Sequence, residues 1–359
     1  MTEIVLDAED DAVKRITFIK PDDWHLHVRD GEMLHAALPY TERVCGRAII
    51  MPNLTLPVTT VAHAVNYRSR ISAALPSGSK FEPLMTLYLT DNTSPDEIVH
   101  AKESGIVHGV KLYPAGATTN SAAGVTCLSR VGKVFEVMEH EGIPLLIHGE
   151  VVDSTVDIFD RERCFLKTME NIMRSFPGLR IVLEHVTTKD GVDFVKEAGP
   201  NIAATITAHH LHINRNDILV GGIKPHNYCL PVAKREKHRL ALIRAATSGN
   251  KKFMLGTDSA PHPIEKKEAA CGCAGCFTAP SAIELYLRVF EQAGKLEHFE
   301  AFASTNGPDF YGLPHNTSLV TYENVDNPWF LPNIVHFAEH GSIVPFRVEE
   351  GLHWRLVNK

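Results

Sequence analysis

Short apolar runs of strand type recur along the chain, and each ends abruptly in a polar residue followed by a stretch with helical character. The runs cover residues 16–19, 47–52, 84–89, 109–113, 144–147, 180–183, 202–206 and 253–255. Helices are predicted between them, for example over 61–74, 94–104, 131–140, 188–198 and 282–293. The helix near 94 has a readable start. Ser94 and Glu97 form an S-x-x-E capping box with Pro95 at the first helical position, and Gly105 stops it. Eight strands alternating with helices predict a parallel sheet, and at this length a closed (β/α)8 TIM barrel rather than an open doubly wound sheet. The rhythm breaks near residue 314. Residues 314–359 are predicted to be a short C-terminal appendage packed on the barrel.

Composition narrows the class without choosing a function. The 359 residues are 44% hydrophobic and 22% charged, which suits a single globular barrel domain spanning 1–359. The formal charge of -7, from 36 basic and 43 acidic residues, argues against nucleic acid or an anionic membrane as partner. It leaves room for a local basic pocket around a small anionic substrate. Residues 1–15 read as an acidic extension, with Glu3, Asp7, Glu9, Asp10 and Asp11 and no long apolar stretch of the secretory kind. No apolar run approaches the roughly 18 residues of a membrane span. Seven cysteines, an odd number, are most simply free thiols in a reducing cytoplasm.

The unusual count is histidine, at 20, and the positions of these histidines matter more than their number. Several stand at the ends of the apolar runs, beside other polar residues: His25 and His27 after the first, Asn53 after the second, Lys111 within the fourth, His148 after the fifth, His185 after the sixth, Asp258 after the eighth. In a parallel barrel all C-terminal strand ends open on one face, where active sites sit. His25, His27, Lys111, His148, His185 and Asp258 are therefore predicted to converge there. A lone His-x-His pair is weak evidence, although residues two apart in a strand point the same way. Four histidines and an aspartate at successive strand ends are much stronger, and imidazole with carboxylate suits zinc.

Lys111 fits a metal site less obviously. The plain alternative is a strand-end lysine whose ammonium reaches solvent. It lies between Val110 and Leu112, inside the strand that shares the metal face. Burial depresses a lysine pKa, and a neutral amine can add carbon dioxide to give an anionic oxygen ligand able to bridge two metals. The residue pattern permits this chemistry without requiring it.

Residues 22–30, 51–54, 111–114, 146–150, 184–190 and 256–262, in this order, resemble the dihydroorotase family of the bacterial single-enzyme type, in the amidohydrolase superfamily. The resemblance covers roughly residues 20 to 313. It implies two zinc ions per chain, with His25 and His27 on the first, His148 and His185 on the second, and Lys111, carboxylated on Nζ, bridging them. It implies that Asp258 is both the remaining ligand and the proton shuttle. It makes Arg29, Asn53 and His262 substrate-binding residues, adds backbone contacts around Leu230 and Ala274, and makes residues 115–124 a mobile lid whose Thr118 and Thr119 touch substrate. The implied reaction is the reversible closure of N-carbamoyl-L-aspartate to L-dihydroorotate in pyrimidine biosynthesis, by metal-bridged hydroxide attack on a cyclic amide when it runs in reverse. A cytoplasmic homodimer is implied in the same way.

Each of the substrate-binding residues has a plainer alternative. Arg29 could pair with Asp30 on the surface, Asn53 could cap a turn after Pro52, and His262 could be a solvated loop histidine. Cys271, Cys273 and Cys276 read like half a zinc knuckle, but no second C-x-x-C pair accompanies them; a tight Gly-rich loop with its backbone toward the pocket is the expected arrangement. Rival functions are another cyclic amidase such as a hydantoinase, a catalytically inactive scaffold relative, and a nucleic-acid-binding zinc knuckle. The carboxylate-binding residues, the full ligand set and the negative charge respectively oppose them.

Overall fold

The computed structural model describes residues 4–9, 12–339, 341–347 and 349–358. Glu3, Asp10 and Asp11 of the acidic extension lie outside the described residues. Eight parallel strands build the main sheet: β1 (Asp23–Leu26), β2 (Arg47–Ile50), β3 (Glu82–Tyr88), β4 (Val107–Leu112), β5 (Leu145–Ile147), β6 (Ile181–Leu183), β7 (Ile202–Ile206) and β8 (Phe253–Leu255), paired in chain order. The barrel closes between β8 and β1 through a parallel bridge at Leu26 and Ser259, with Asp258 N donating to His25 O at 2.8 Å and His27 N to Ser259 O at 3.1 Å.

Successive strand residues face opposite sides of the sheet, and the apolar residues divide accordingly. Leu145 and Ile147 join the large core between sheet and helices, whereas Leu146 joins a second cluster with Trp24, Ile49, Leu84, Val182, Ala203 and Met254. That second cluster takes residues from seven strands and fills the barrel interior as a plug, so the polar residues at the strand ends stand on an apolar floor. Tyr311 stacks on Trp24 at 4.5 Å from below. Its helix, Asn306–Tyr311, approaches so closely that a Cβ on Gly307 would fall 1.9 Å from the Trp24 indole, so only glycine fits.

The predicted first strand is corrected. Residues 16–19 belong to Ala12–Ile19, which lies in a separate antiparallel sheet ordered Val5–Glu9, Ala12–Ile19, Leu319–Trp329, Leu352–Asn358. The barrel strand is Asp23–Leu26 instead, so His25 stands inside β1 rather than after it. The barrel strand carries no apolar run because its polar residues are buried with partners: Asp22, just before it, pairs with Arg47 at 2.5 Å, and Asp23 accepts from Thr257 Oγ1 at 2.6 Å.

The helices follow the expected register within a residue or two: Val61–Ala74, Pro95–Ser104, Gly132–Glu141, Lys189–Glu197 and Ala282–Gln292. Ser94 caps its helix by accepting from Glu97 N at 3.2 Å, and Gly105 ends it with a φ of 67°. Glu97 does not complete the box; its carboxylate accepts from Val61 N at 2.6 Å and so caps the neighbouring helix.

Candidate active site

His25, His27, Lys111, His148, His185 and Asp258 converge at the C-terminal mouth of the barrel, each from a different strand end apart from the His25–His27 pair. Nε2 of His27 and of His25 lie 3.0 and 3.4 Å from one Asp258 oxygen. The His25 and His185 rings are 5.0 Å apart, and those of His148 and His185 are 4.7 Å apart. All six side chains are buried. Burial pushes the Asp258 carboxyl up, but His25 and His27 outweigh it and hold it well below the usual carboxylate range.

Lys111 is fully buried and its Nζ has no hydrogen-bond partner. Burial lowers its pKa to about 8, against the pull of Glu184 and Asp258. Nδ1 of His185 is likewise without a partner. A buried, partnerless ammonium is costly, and here it stands beside four imidazoles and a carboxylate, the donor set of a metal centre. His25, His185 and Asp258 bring ligand atoms within 4.8 Å of one another.

The amidohydrolase family profile matches residues 16–322, which contain the whole barrel. The chain belongs to the amidohydrolase family. Within it, the chain falls among the dihydroorotases, as a hydrolase acting on cyclic amides. It is 60% identical over 342 residues to the dihydroorotase of Methylobacillus flagellatus, covering 95% of this chain and 98% of the relative. The crystal structure of dihydroorotase from Campylobacter jejuni matches with a TM-score of 0.88 and 36% identity, covering 98% of this chain and 99% of that one. The Saccharomyces cerevisiae dihydroorotase in complex with 5-fluoroorotic acid matches with a TM-score of 0.88 and 33% identity, covering 96% and 98%.

Above its polar cluster this amidohydrolase holds a tight cavity of about 20 Å³, lined by His25, His27, His148, His185 and Asp258 and also by Arg29, Asn53, Thr118, Thr119, Leu230 and Ala274. His262 stands just behind it. Arg29 does not pair with Asp30, whose carboxylate binds Arg70 at 2.8 and 2.9 Å. Its guanidinium donates to Pro261 O at 3.1 Å and lies 2.9 Å from Nε2 of His262. Burial and then the charge of Arg29 lower the His262 pKa to about 2, so this imidazole is neutral. Asn53 donates to Thr119 O at 3.1 Å, so it faces the 115–124 loop rather than capping its own turn. Among the three loop cysteines, Cys271 is exposed, Cys273 half-buried and Cys276 buried, and they form no common ligand group. The Ala274 carbonyl between them lies 3.0 Å from Nε2 of His262.

Arg29, His185 and Asp258 adopt left-handed backbone angles, with φ of 61°, 42° and 46°. Non-glycine residues rarely do so, and such strain is held where the surrounding structure over-determines the site. Two residues of the amidohydrolase site had no role assigned from sequence. Glu184 accepts from Nδ1 of His25 at 2.6 Å, and Glu150 lies 2.8 Å from Nε2 of His148. Their signal was adjacency: Glu184 precedes His185, and Glu150 stands two residues after His148.

Proposed function

We propose that this dihydroorotase works as a two-zinc centre. His25 and His27 hold one ion, His148 and His185 the other, Asp258 completes the set, and a carboxylated Lys111 bridges the two. The partnerless Nζ of Lys111, buried among these ligands, carries the reading, because a carboxylated amine there exchanges an isolated buried cation for an anionic oxygen ligand. When bound, the ions supply Lewis acidity toward the substrate carbonyl and acidify water near neutral pH.

The chain's own residues do the rest. In the hydrolytic direction Asp258 takes a proton from the attacking water and delivers it to the leaving ring nitrogen of L-dihydroorotate; in the biosynthetic direction it takes the proton from the ureido nitrogen of N-carbamoyl-L-aspartate as the ring closes. Arg29 offers a planar fork to the substrate carboxylate, with Asn53 and neutral His262 beside it. The 5-fluoroorotic acid of the yeast relative is a carboxylated pyrimidine ring of this kind. Thr118 and Thr119 bring hydroxyls from the loop above, and the backbone around Leu230 and Ala274 closes the sides.

Residues 1–359 form one catalytic unit in this reading, with the terminal segments 1–15 and 314–359 as accessories to the barrel. The reading also includes a homodimer and a cytoplasmic location. The small, carboxylated substrate and the net charge of -7 support a partner list without nucleic acid. No helix among the described residues is long and apolar enough to cross a membrane. The test is elemental analysis of chelator-free protein alongside dihydroorotate formation with and without chelator. Two zinc ions per chain and chelator-sensitive activity are expected; a single ion at full activity would overturn the two-metal assignment.

A further inference from the structure

Beside the catalytic cavity lies a second cluster of ligand atoms that dihydroorotate chemistry does not use. The ligand atoms of His209, Cys229 and Cys276 lie within 4.8 Å of one another, and all three residues are buried. They come from three separate segments. His209 lies in the short helix Ala208–His212 after β7, Cys229 precedes Leu230 of the cavity wall, and Cys276 follows Gly275 in the loop that carries Ala274.

His209 is the decisive residue. It is fully buried, and neither of its ring nitrogens has a hydrogen-bond partner. A buried imidazole always carries one donor and one acceptor when neutral, and leaving both unmet is unfavourable. The two thiols engage each other and otherwise only weak partners: Cys229 Sγ lies 3.3 Å from Nε2 of His210 and 3.4 Å from Pro231 O, and Cys276 Sγ lies 3.5 Å from His226 O. Nearby, the Lys267 ammonium donates to the carbonyls of Tyr228, Cys273 and Gly275, which adjoin both cysteines.

We infer that His209, Cys229 and Cys276 form a sulfur-containing metal site, separate from the catalytic centre, that takes a thiophilic d10 cation and ties together the loops bearing Leu230 and Ala274. Two thiolates and an imidazole are the ligands that select zinc(II) or copper(I) over harder ions. With zinc the two thiolates cancel the ion's charge; with copper(I) they leave one negative charge opposite Lys267. Either balance suits a dry interior. Binding releases the two thiol protons to solvent and involves no change of oxidation state. One of the two partnerless His209 nitrogens gains a partner.

Holoenzyme kept reduced is titrated with cobalt(II), a spectroscopic substitute for zinc, and separately with copper(I) under anaerobic conditions. One further equivalent should bind and give a thiolate-to-metal charge-transfer band, which the catalytic histidines, lysine and aspartate cannot produce. A band with cobalt that zinc displaces assigns the site to zinc(II); a band with copper(I) alone assigns it to copper. Cys273→Ser should retain the band, and Cys229→Ser with Cys276→Ser should lose both band and extra equivalent. His209→Gln should weaken binding at least about tenfold. Absence of a sulfur band in the wild-type protein with either metal overturns the inference, whatever the folding of the variants. Loss of the band in Cys273→Ser also overturns it.

Discussion

The Glu184 carboxylate lies 2.6 Å from Nδ1 of His25, with both side chains buried. This contact fixes the proton on Nδ1 and leaves Nε2 turned toward Asp258, 3.4 Å away. Thr205 Oγ1 donates to the same Glu184 oxygen at 2.7 Å and accepts from His185 N at 2.6 Å. One carboxylate just past the end of β6 thus sets the tautomer of a β1 histidine and, through a β7 threonine, the backbone of the next histidine. A hydrogen-bonded carboxylate behind a ligating imidazole orients it and raises its basicity.

Glu184→Gln therefore tests the arrangement without removing any proposed ligand. The amide keeps the size but lacks the charge. Metal affinity should fall roughly 10–100-fold, with activity recovering at high zinc. Competition against a chelator of known affinity measures it. An affinity equal to wild type would mean that Glu184 merely fills space.

Lys111→Ala should abolish activity and lower the metal content, because the proposed bridge goes with the amine. Small carboxylic acids added to the variant should restore part of both by placing an anionic oxygen in the gap. Full activity in the unsupplemented variant would rule out the bridge.

Asp258→Asn retains shape but neither accepts the proton nor carries the ligand charge. A general acid–base group typically contributes about 10²–10⁴ in rate, so a fall of at least this size is expected. Steady-state kinetics in both directions, with metal content checked, decide it. A rate within about threefold of wild type would remove Asp258 from the mechanism.

The sequence made most of the barrel legible because most strands are continuous apolar runs and several helices start at a side-chain cap, among them those after Thr60, Ser94 and Thr188. β1 escaped because Asp23–Leu26 is four residues long and half polar, while the more apolar 16–19 run pairs with Leu319–Trp329 instead. The candidate site was legible as residue types at strand ends. Its supporting contacts were not: His25 and Glu184 are 159 positions apart, and nothing in either neighbourhood names the other. The same is true of His209, Cys229 and Cys276, which share no motif. Local spacing drew attention to Cys271, Cys273 and Cys276, but the fold sends only Cys276 inward.

Glu284 provides a pH-dependent test remote from the metal ligands. It is buried, neither carboxylate oxygen has a hydrogen-bond partner, and Arg43 is 3.6 Å away. The Tyr322 hydroxyl also faces it. Burial raises its pKa from 4.5 to about 7, with Arg43 opposing. The folded protein thus holds a proton that the unfolded chain releases between these values. Its contribution to stability is full below pH 4.5 and is lost as the pH rises through about 7. Glu284→Gln removes that dependence. Relative to wild type, the variant should gain stability from pH 5 to pH 8, by at most about 3 kcal/mol. Urea unfolding at the two pH values measures the difference. A constant difference would place the proton elsewhere.

The 115–124 loop covers the cavity, and we propose that it serves as the mobile lid. It lies over the cavity through a few contacts at the rim: Asn53 Nδ2 to Thr119 O at 3.1 Å, Asn120 Nδ2 to Asn53 O at 3.1 Å, Tyr88 OH to Asn120 O at 3.2 Å, and Thr119 Oγ1 to Ala274 O at 3.5 Å. Gly116, with a φ of 83°, has the backbone freedom of a hinge. Gly124 serves differently: a Cβ there would fall 2.3 Å from Tyr113 O, so glycine is needed for close approach. The loop is also tied within itself, Ser121 Oγ accepting from Thr118 N at 2.8 Å and donating to Thr118 O at 2.6 Å, so it would move as one piece. Closure excludes water and strengthens the electrostatics beneath. If the Thr118 and Thr119 hydroxyls tighten on substrate in the transition state, Thr118→Ala with Thr119→Val should lower kcat at least about tenfold and not merely raise KM. The variant is assayed in both directions with its metal content verified. An unchanged kcat with the metals in place would make the loop a plain connection between β4 and the following helix, because a lid that completes the site cannot lose both hydroxyls without slowing the chemical step.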